Sequence, residues 1–379
     1  MLIKHYLSLS KTLCPTAATS CGSRSRTFDI RRLVAYSLMS CTVLLGAGGC
    51  TIVPKPASPS AKMERDNQPE RSDAQMHGSV VTRNERFVVY QPGAEDTLAS
   101  LARDFLGSAE RAWEIAQFNE VTSPTPGQAL VVPLRPVNAL GISSKGYQTV
   151  PILCYHRIGP RPNLMVMPRE TFAGQMEYLA ENGYNVIRLA DLPDFLSGKR
   201  ALPPRAVVLS FDDGHISTYQ HAYPILRKHG FAATFFVYSD FLGGGEAMTW
   251  AQINEMTQSG LIDIQSHSKS HANLIVRLTQ ENDQRYRERV DTEMRVPRDT
   301  IERNAGVKVT HYAFPYGDAN QVVLERLVQT GHQLGLTVNP GGNAFFANPL
   351  LLQRTMIFGG ASMESFRSAL QVFRNMNLQ

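Results

Sequence analysis

The chain has 379 residues, 43% apolar and 19% charged, with 38 Lys and Arg against 33 Asp and Glu. At about 100–200 residues per domain it accommodates two folded domains, and its composition excludes wholesale disorder; no apolar run in its body reaches the ~20 residues of a spanning helix. Six basic residues and one acidic residue fall in residues 1–49, leaving the remainder balanced at 32 of each sign, so the positive excess makes no case for a nucleic-acid partner.

Arg31 and Arg32 precede the apolar stretch Leu33–Leu45, which ends in Gly46-Ala47-Gly48-Gly49 and then Cys50. A basic segment, a short apolar segment and small residues make a secretory signal over residues 1–49. The Cys directly after the small residues resembles the bacterial lipoprotein signal. That resemblance implies lipidation of Cys50 and, with Thr51 following it, sorting to the outer membrane facing the periplasm; an ordinary cleaved signal is the alternative. Cys14, Cys21 and Cys41 lie in the leader, so Cys154 is left without an internal disulfide partner, and its apolar surroundings predict a buried, inert thiol. Residues 50–85 are rich in Pro, Ser, Lys, Gln and Asn without a hydrophobic period, the pattern of a disordered tether.

Residues 86–136 read as a small α+β unit. Phe87–Tyr90 is a strand and Pro92-Gly93 a turn. Leu98, Leu101, Ala102 and Phe105 fall at helical spacing, Trp113–Phe118 gives a second helix, and Ala129–Pro133 a closing strand. This βααβ order, with Tyr90, Asp96-Thr97-Leu98, Asn119 and Pro126-Gly127-Gln128, resembles the LysM module. The resemblance implies binding of N-acetylglucosamine-containing glycans, peptidoglycan included; a spacer without glycan affinity is the alternative.

From residue 147 to 379 apolar strands alternate with helices. Val150–Tyr155, Asn185–Leu189, Ala206–Phe211, Ala232–Tyr238, Ile262–Ser266 and Thr310–Phe314 read as strands, with helices over Glu170–Glu181 and Tyr219–Lys228. That alternation predicts an α/β fold with a largely parallel sheet, either barrel or doubly wound, with chemistry at the C-terminal strand ends. Two strand ends carry it. Ala206–Phe211 runs into Asp212-Asp213-Gly214, and adjacent carboxylates at a strand end are costly to desolvate without a cation. Ile262–Ser266 runs into His267-Ser268-Lys269-Ser270-His271, whose histidines can reach one cation if the segment turns helically. Two His and a carboxylate leave a position open, the catalytic form of such a site.

Ser210-Phe211-Asp212-Asp213-Gly214, the His267/His271 pair and Ala313-Phe314-Pro315-Tyr316-Gly317 together resemble the polysaccharide deacetylases with the NodB homology domain. The resemblance implies a deformed (β/α) barrel and hydrolysis of an acetamide on an N-acetylglucosamine polysaccharide. By it Asp212 is the general base, and Asp213, His267 and His271 hold one divalent metal, zinc, or else Ni, Co, Fe or Mn. Tyr316 offers its backbone N–H to the oxyanion. Ala313 stands where the family has an Arg. Val150–Arg157 at the start of the domain resembles the circularly permuted branch, the poly-β-1,6-N-acetylglucosamine deacetylases, in which His156 is the general acid. Arg354 is then the cation that orients Asp212, with a surface salt bridge as the alternative. Trp250 and Pro315 are candidate substrate contacts, Trp250 being otherwise a core lid. A peptidoglycan or chitin-type deacetylase and a non-catalytic glycan-binding lipoprotein remain as other readings.

Overall fold

The computed structural model describes residues 77–376. The leader, Cys50 and most of the expected tether lie outside the described residues. The tether's last part does not: Ser79–Arg83 is a strand, paired antiparallel with Phe87–Gln91. Every residue of it is exposed, so no hydrophobic period marks it. What makes it a strand is the turn, where the Asn84 side chain accepts from the Arg86 and Phe87 amides at 2.8 and 2.9 Å.

The small unit has the expected strand–helix–helix–strand order, with Leu98–Leu106 and Ala112–Asn119 between Phe87–Gln91 and Leu130–Pro133. Val88, Tyr90, Leu101, Ala102, Ile115, Leu130 and Val132 are its buried core. Thr97 and Ser100 form a reciprocal cap on the first helix. Asn119 ties the second helix to the closing strand, donating to the Val131 carbonyl and accepting from its N–H.

In the larger unit, strands β1 (Val150–Tyr155), β2 (Ala206–Phe211), β3 (Ala233–Val237), β4 (Ile262–Ser266), β5 (His311–Ala313) and β6 (Leu334–Leu336) pair in parallel in that order. The sheet then returns on itself. Leu352 bridges Leu336, and β7 (Thr355–Met356) pairs with Leu153 and Cys154 of β1. The result is a curled, largely parallel sheet drawn towards closure by these short contacts, with Gly342–Asn343 also pairing antiparallel to Val150 and Pro151, so of the two parallel architectures it fits a deformed barrel. It is deformed between β4 and β5, where Ser266 and Tyr312 are the paired residues. There the Gln265 side chain substitutes for the ladder, accepting from the Thr310 and His311 amides and donating to the Lys308 carbonyl. The expected strand Asn185–Leu189 is strand only at Asn185–Val186; Leu189–Asp191 is a 3-10 turn.

Because strand side chains alternate, each buried strand serves two cores. Leu153, Tyr155, Val207, Leu209, Phe211, Phe235, Val237 and Ile264 face the surrounding helices. Val150, Ile152, Ala206, Val208, Phe236, Leu336 and Leu352 fill the lumen. Carried upward, the lumen-facing parity reaches Cys154 on β1 and His156 just after it, Ser210 on β2 and Asp212 just after it, and Arg354 entering β7. The apolar lumen thus becomes polar at the C-terminal rim, where parallel barrels place their chemistry.

Candidate active site

Asp212 continues the β2 ladder, its N–H donating to the Tyr155 carbonyl, and its carboxylate is 1% exposed. A buried carboxylate needs a partner, and Arg354 supplies one. Its guanidinium donates to both carboxylate oxygens, at 2.7 and 2.8 Å, while its Nε holds the Thr337 carbonyl at 2.9 Å. Arg354 is fully buried, which excludes the surface salt bridge. The Cys154 thiol donates to the second carboxylate oxygen at 3.4 Å. Burial pushes the Asp212 carboxyl up, but the charge and hydrogen bonds of Arg354 more than offset it and hold the group below the usual carboxylate range. Cys154 itself is pushed well up by burial, as expected of an inert thiol.

Asp213 takes the other direction. Its φ of 78° breaks the strand's alternation and turns its side chain away from Arg354. Gly214 follows at φ 82°, where an added Cβ would lie 3.0 Å from Val237. The adjacent carboxylates are thereby set apart: Asp212 pairs with Arg354 within the barrel, with His267 Nε2 3.8 Å from its Oδ2, and Asp213 lies beside both histidines.

His267 is 2% exposed at the end of β4. Its Nδ1 lies 2.8 Å from the Ala313 carbonyl oxygen, which only accepts, so Nδ1 carries the proton and Nε2 presents its lone pair. Burial lowers its pKa to about 4, keeping the ring neutral. That Nε2 lies 3.8 Å from Asp213 Oδ1, and His271 Nε2 lies 3.5 Å from the same oxygen. The three ligating atoms are all within 4.8 Å of one another. Acceptors converging in this way fit a divalent cation, and the two-His, one-carboxylate set suits zinc or its neighbours. The expected helical turn between the histidines is absent. Ser268 and His271 have φ of 76° and 60°, so an irregular loop brings the second imidazole round.

His156, half-buried after β1, presents a ring nitrogen within 4.8 Å of the Asp212 carboxylate and the Cys154 sulfur. Tyr316 follows β5 at φ 64° and is 42% exposed, its ring 5.0 Å from that of His271; Pro315 beside it is buried. Trp250 begins the helix Trp250–Gln258 and packs, partly buried, against the main core. Sequence reasoning missed Glu293. Its carboxylate accepts from the Lys269 and Ser270 amides and the Ser270 hydroxyl. The available signal was a charged residue within the buried stripe Tyr286, Val290, Met294 and Ile301 of the helix Asp283–Ala305.

Barrel and rim together define a class: a curled, largely parallel barrel with paired carboxylates and a two-histidine candidate cation site at one strand-end face. The family profile described as polysaccharide deacetylase matches residues 199–335. A Bacillus subtilis protein named "Putative polysaccharide deacetylase YxkH" is 31% identical over 217 residues, 57% of this chain and 74% of that one. The chain belongs to the polysaccharide deacetylase family. The poly-beta-1,6-N-acetyl-D-glucosamine N-deacetylase of Escherichia coli is 27% identical over 235 residues, and the match spans 52% of this chain but 34% of that larger protein. Among solved structures, the Streptococcus pyogenes deacetylase PplD in complex with acetate matches at TM-score 0.53 and 27% identity, over 59% of this chain and 98% of that one. IcaB from Ammonifex degensii matches at TM-score 0.53 and 26% identity, over 59% and 97%. The profile match begins after β1 and ends before β7, so His156, just after β1, and Arg354, just before β7, both lie outside it.

Proposed function

We propose that the protein is a metal-dependent N-deacetylase of poly-β-1,6-N-acetylglucosamine or a related exopolysaccharide, releasing acetate. The observation that carries the reading is the division of labour between Asp212 and Asp213. One carboxylate is locked onto Arg354, and its neighbour joins two imidazole lone pairs. A divalent ion held by Asp213, His267 and His271 would polarise the acetamide carbonyl and acidify a water. Asp212, kept ionised by Arg354, takes the proton of the attacking water. The Tyr316 N–H is assigned to the developing oxyanion, where one such donor is typically worth ~3–4 kcal/mol. His156 protonates the departing amine, leaving free glucosamine on the polymer. Support for the β-1,6 substrate comes from relatives bearing that name and from His156 lying just after the strand that precedes the profile match.

The βααβ unit favours a second substrate, a peptidoglycan or chitin-type glycan, if it binds cell wall as its LysM-like order suggests. Trp250 and Pro315 are the proposed sugar contacts. Export as a lipoprotein through Cys50, to the outer membrane facing the periplasm, is proposed on the sequence pattern. One experiment separates the substrates: acetate release from β-1,6- and β-1,4-linked N-acetylglucosamine oligomers, with and without a chelator. Faster release from β-1,4 oligomers would overturn the β-1,6 assignment, and chelator-insensitive release would overturn the metal dependence.

A further inference from the structure

His271 stands on backbone that L-residues rarely adopt. Both it and Ser268 have positive φ, and neither is glycine. Such a loop persists only where its surroundings over-determine it. Part of the restraint is local, since the His271 N–H donates to Ser268 Oγ at 2.8 Å. More comes from elsewhere in the chain: the Ser239 and Asp240 N–H groups donate to the Ser268 and Lys269 carbonyls at 3.3 and 2.9 Å, and the loop's own amides are held by Glu293. Successive N–H groups of Lys269 and Ser270 converge on one oxygen of Glu293, at 3.0 and 2.9 Å, and the Ser270 hydroxyl donates to the other at 2.6 Å. Consecutive amides after a left-handed residue form a small concave anion site. Here its occupant is a side chain of the same molecule.

Glu293 is the only charged member of the buried stripe of its helix, alongside Tyr286, Val290, Met294, Pro297 and Ile301. It is 6% exposed. A carboxylate there is costly unless hydrogen-bonded, and the loop amides supply those bonds. The same helix packs its Tyr286, Val290 and Met294 against Tyr312 and Phe314, which lie on and just after β5. Glu293 therefore references the His271 loop to the barrel wall that also presents the Ala313 carbonyl to His267.

We propose that Glu293 is a positioning residue for the cation site. Its carboxylate clamps residues 269–270 so that His271 Nε2 is held opposite Asp213 before any cation binds. The inference rests on the reading of Asp213, His267 and His271 as that site. It assigns Glu293 no contact with substrate or cation.

The test is a cycle of four full-length proteins: parent, Glu293→Ala, His271→Ala and the double variant. Zn²⁺ affinity is measured by competition with a chromophoric chelator, and Co²⁺ absorption reports ligand geometry. Loss of an outer partner of a ligand typically weakens metal binding about 10–100-fold. Glu293→Ala should do so in the parent, with a changed Co²⁺ spectrum, and should change affinity less than about threefold when His271 is already absent. Glu293→Gln, which keeps an acceptor for the amides without the charge, should fall between parent and Glu293→Ala. Should Glu293→Ala not fold, Glu293→Gln takes its place in the cycle, with a several-fold loss expected only when His271 is present. Equal losses in both backgrounds, or parent-like Zn²⁺ affinity of the Glu293 variant, would overturn the proposal. A folded parent that binds neither ion would overturn the cation-site reading itself, and the clamp with it.

Discussion

Arg354→Met is the most informative single change. Methionine keeps most of the buried length and volume but removes both hydrogen bonds to Asp212 and the one to Thr337. Breaking a buried pair by deleting one partner costs about 3–5 kcal/mol, because the remaining charge is left desolvated. At about 2–4 °C per kcal/mol for a domain of this size, Tm should fall by about 6–20 °C. The sign of the pH dependence follows from the shift. In the parent, the Asp212 pKa is depressed below its unfolded value, so its stabilising contribution is present above about pH 4 and lost as pH falls. Without Arg354, burial dominates and the pKa rises above the unfolded value. The stability gap between parent and variant should therefore widen from pH 4 to pH 7. The acidic limb of the pH–rate profile should also move upward, with a loss of about 10²–10⁴-fold in kcat at neutral pH. Arg354→Lys, which keeps the charge but not the two-pronged geometry, should lose less. Thermal melts and acetate release across pH measure both. Near-parent kcat in Arg354→Met with an unmoved acidic limb would refute the assignment of Arg354 and the role of Asp212 as base.

Other changes separate the remaining roles. Asp212→Asn should retain Zn²⁺ while the rate falls about 10²–10⁴-fold, whereas Asp213→Ala should lose metal and activity together; metal analysis beside acetate release distinguishes them. His156→Ala should keep metal and flatten only the basic limb of the pH–rate profile, and an intact basic limb would show that β1 merely completes the barrel. His267, His311 and His332 each have a pKa lowered to about 4 by burial, so the unfolded chain binds more protons between pH 4 and 6.5. Metal-free protein should accordingly gain stability as pH rises through that window, by about 1.4 kcal/mol per pH unit for each proton, and a flat melting profile would contradict it. Cys50→Ala should shift the protein out of the membrane fraction without altering catalysis of the purified chain; unchanged fractionation would remove the lipid anchor.

The strand before Asp212 is legible because it is buried on both faces and reads as an apolar run, whereas the strand before His267 shows only Ile262 and Ile264 alternating with Asp263 and Gln265. Closure of the barrel was not legible. It depends on the two-residue β7 and a bridge at Leu352, too short to carry any period. Ser79–Arg83 escaped for a related reason: an exposed strand held by its turn has no apolar face to announce it. The candidate metal set is readable from residue types and spacing, yet the irregular loop that joins the histidines is not, since nothing in Ser268 or His271 signals positive φ. Arg354 stands 142 residues from Asp212, and no local pattern links them. Their pairing emerges only when the sheet curls back on itself.

That closure has a consequence for how the molecule acquires activity. A chain delivered as far as residue 350 during synthesis already contains both carboxylates and both histidines. It lacks the guanidinium that pairs with Asp212, because Arg354 arrives with the segment that joins β6 to β1. Until then the buried carboxylate opposes formation of the rim around it. Completion of the wall and ionisation of the base are one event, so a partly delivered chain holds the reactive groups without the means to use them.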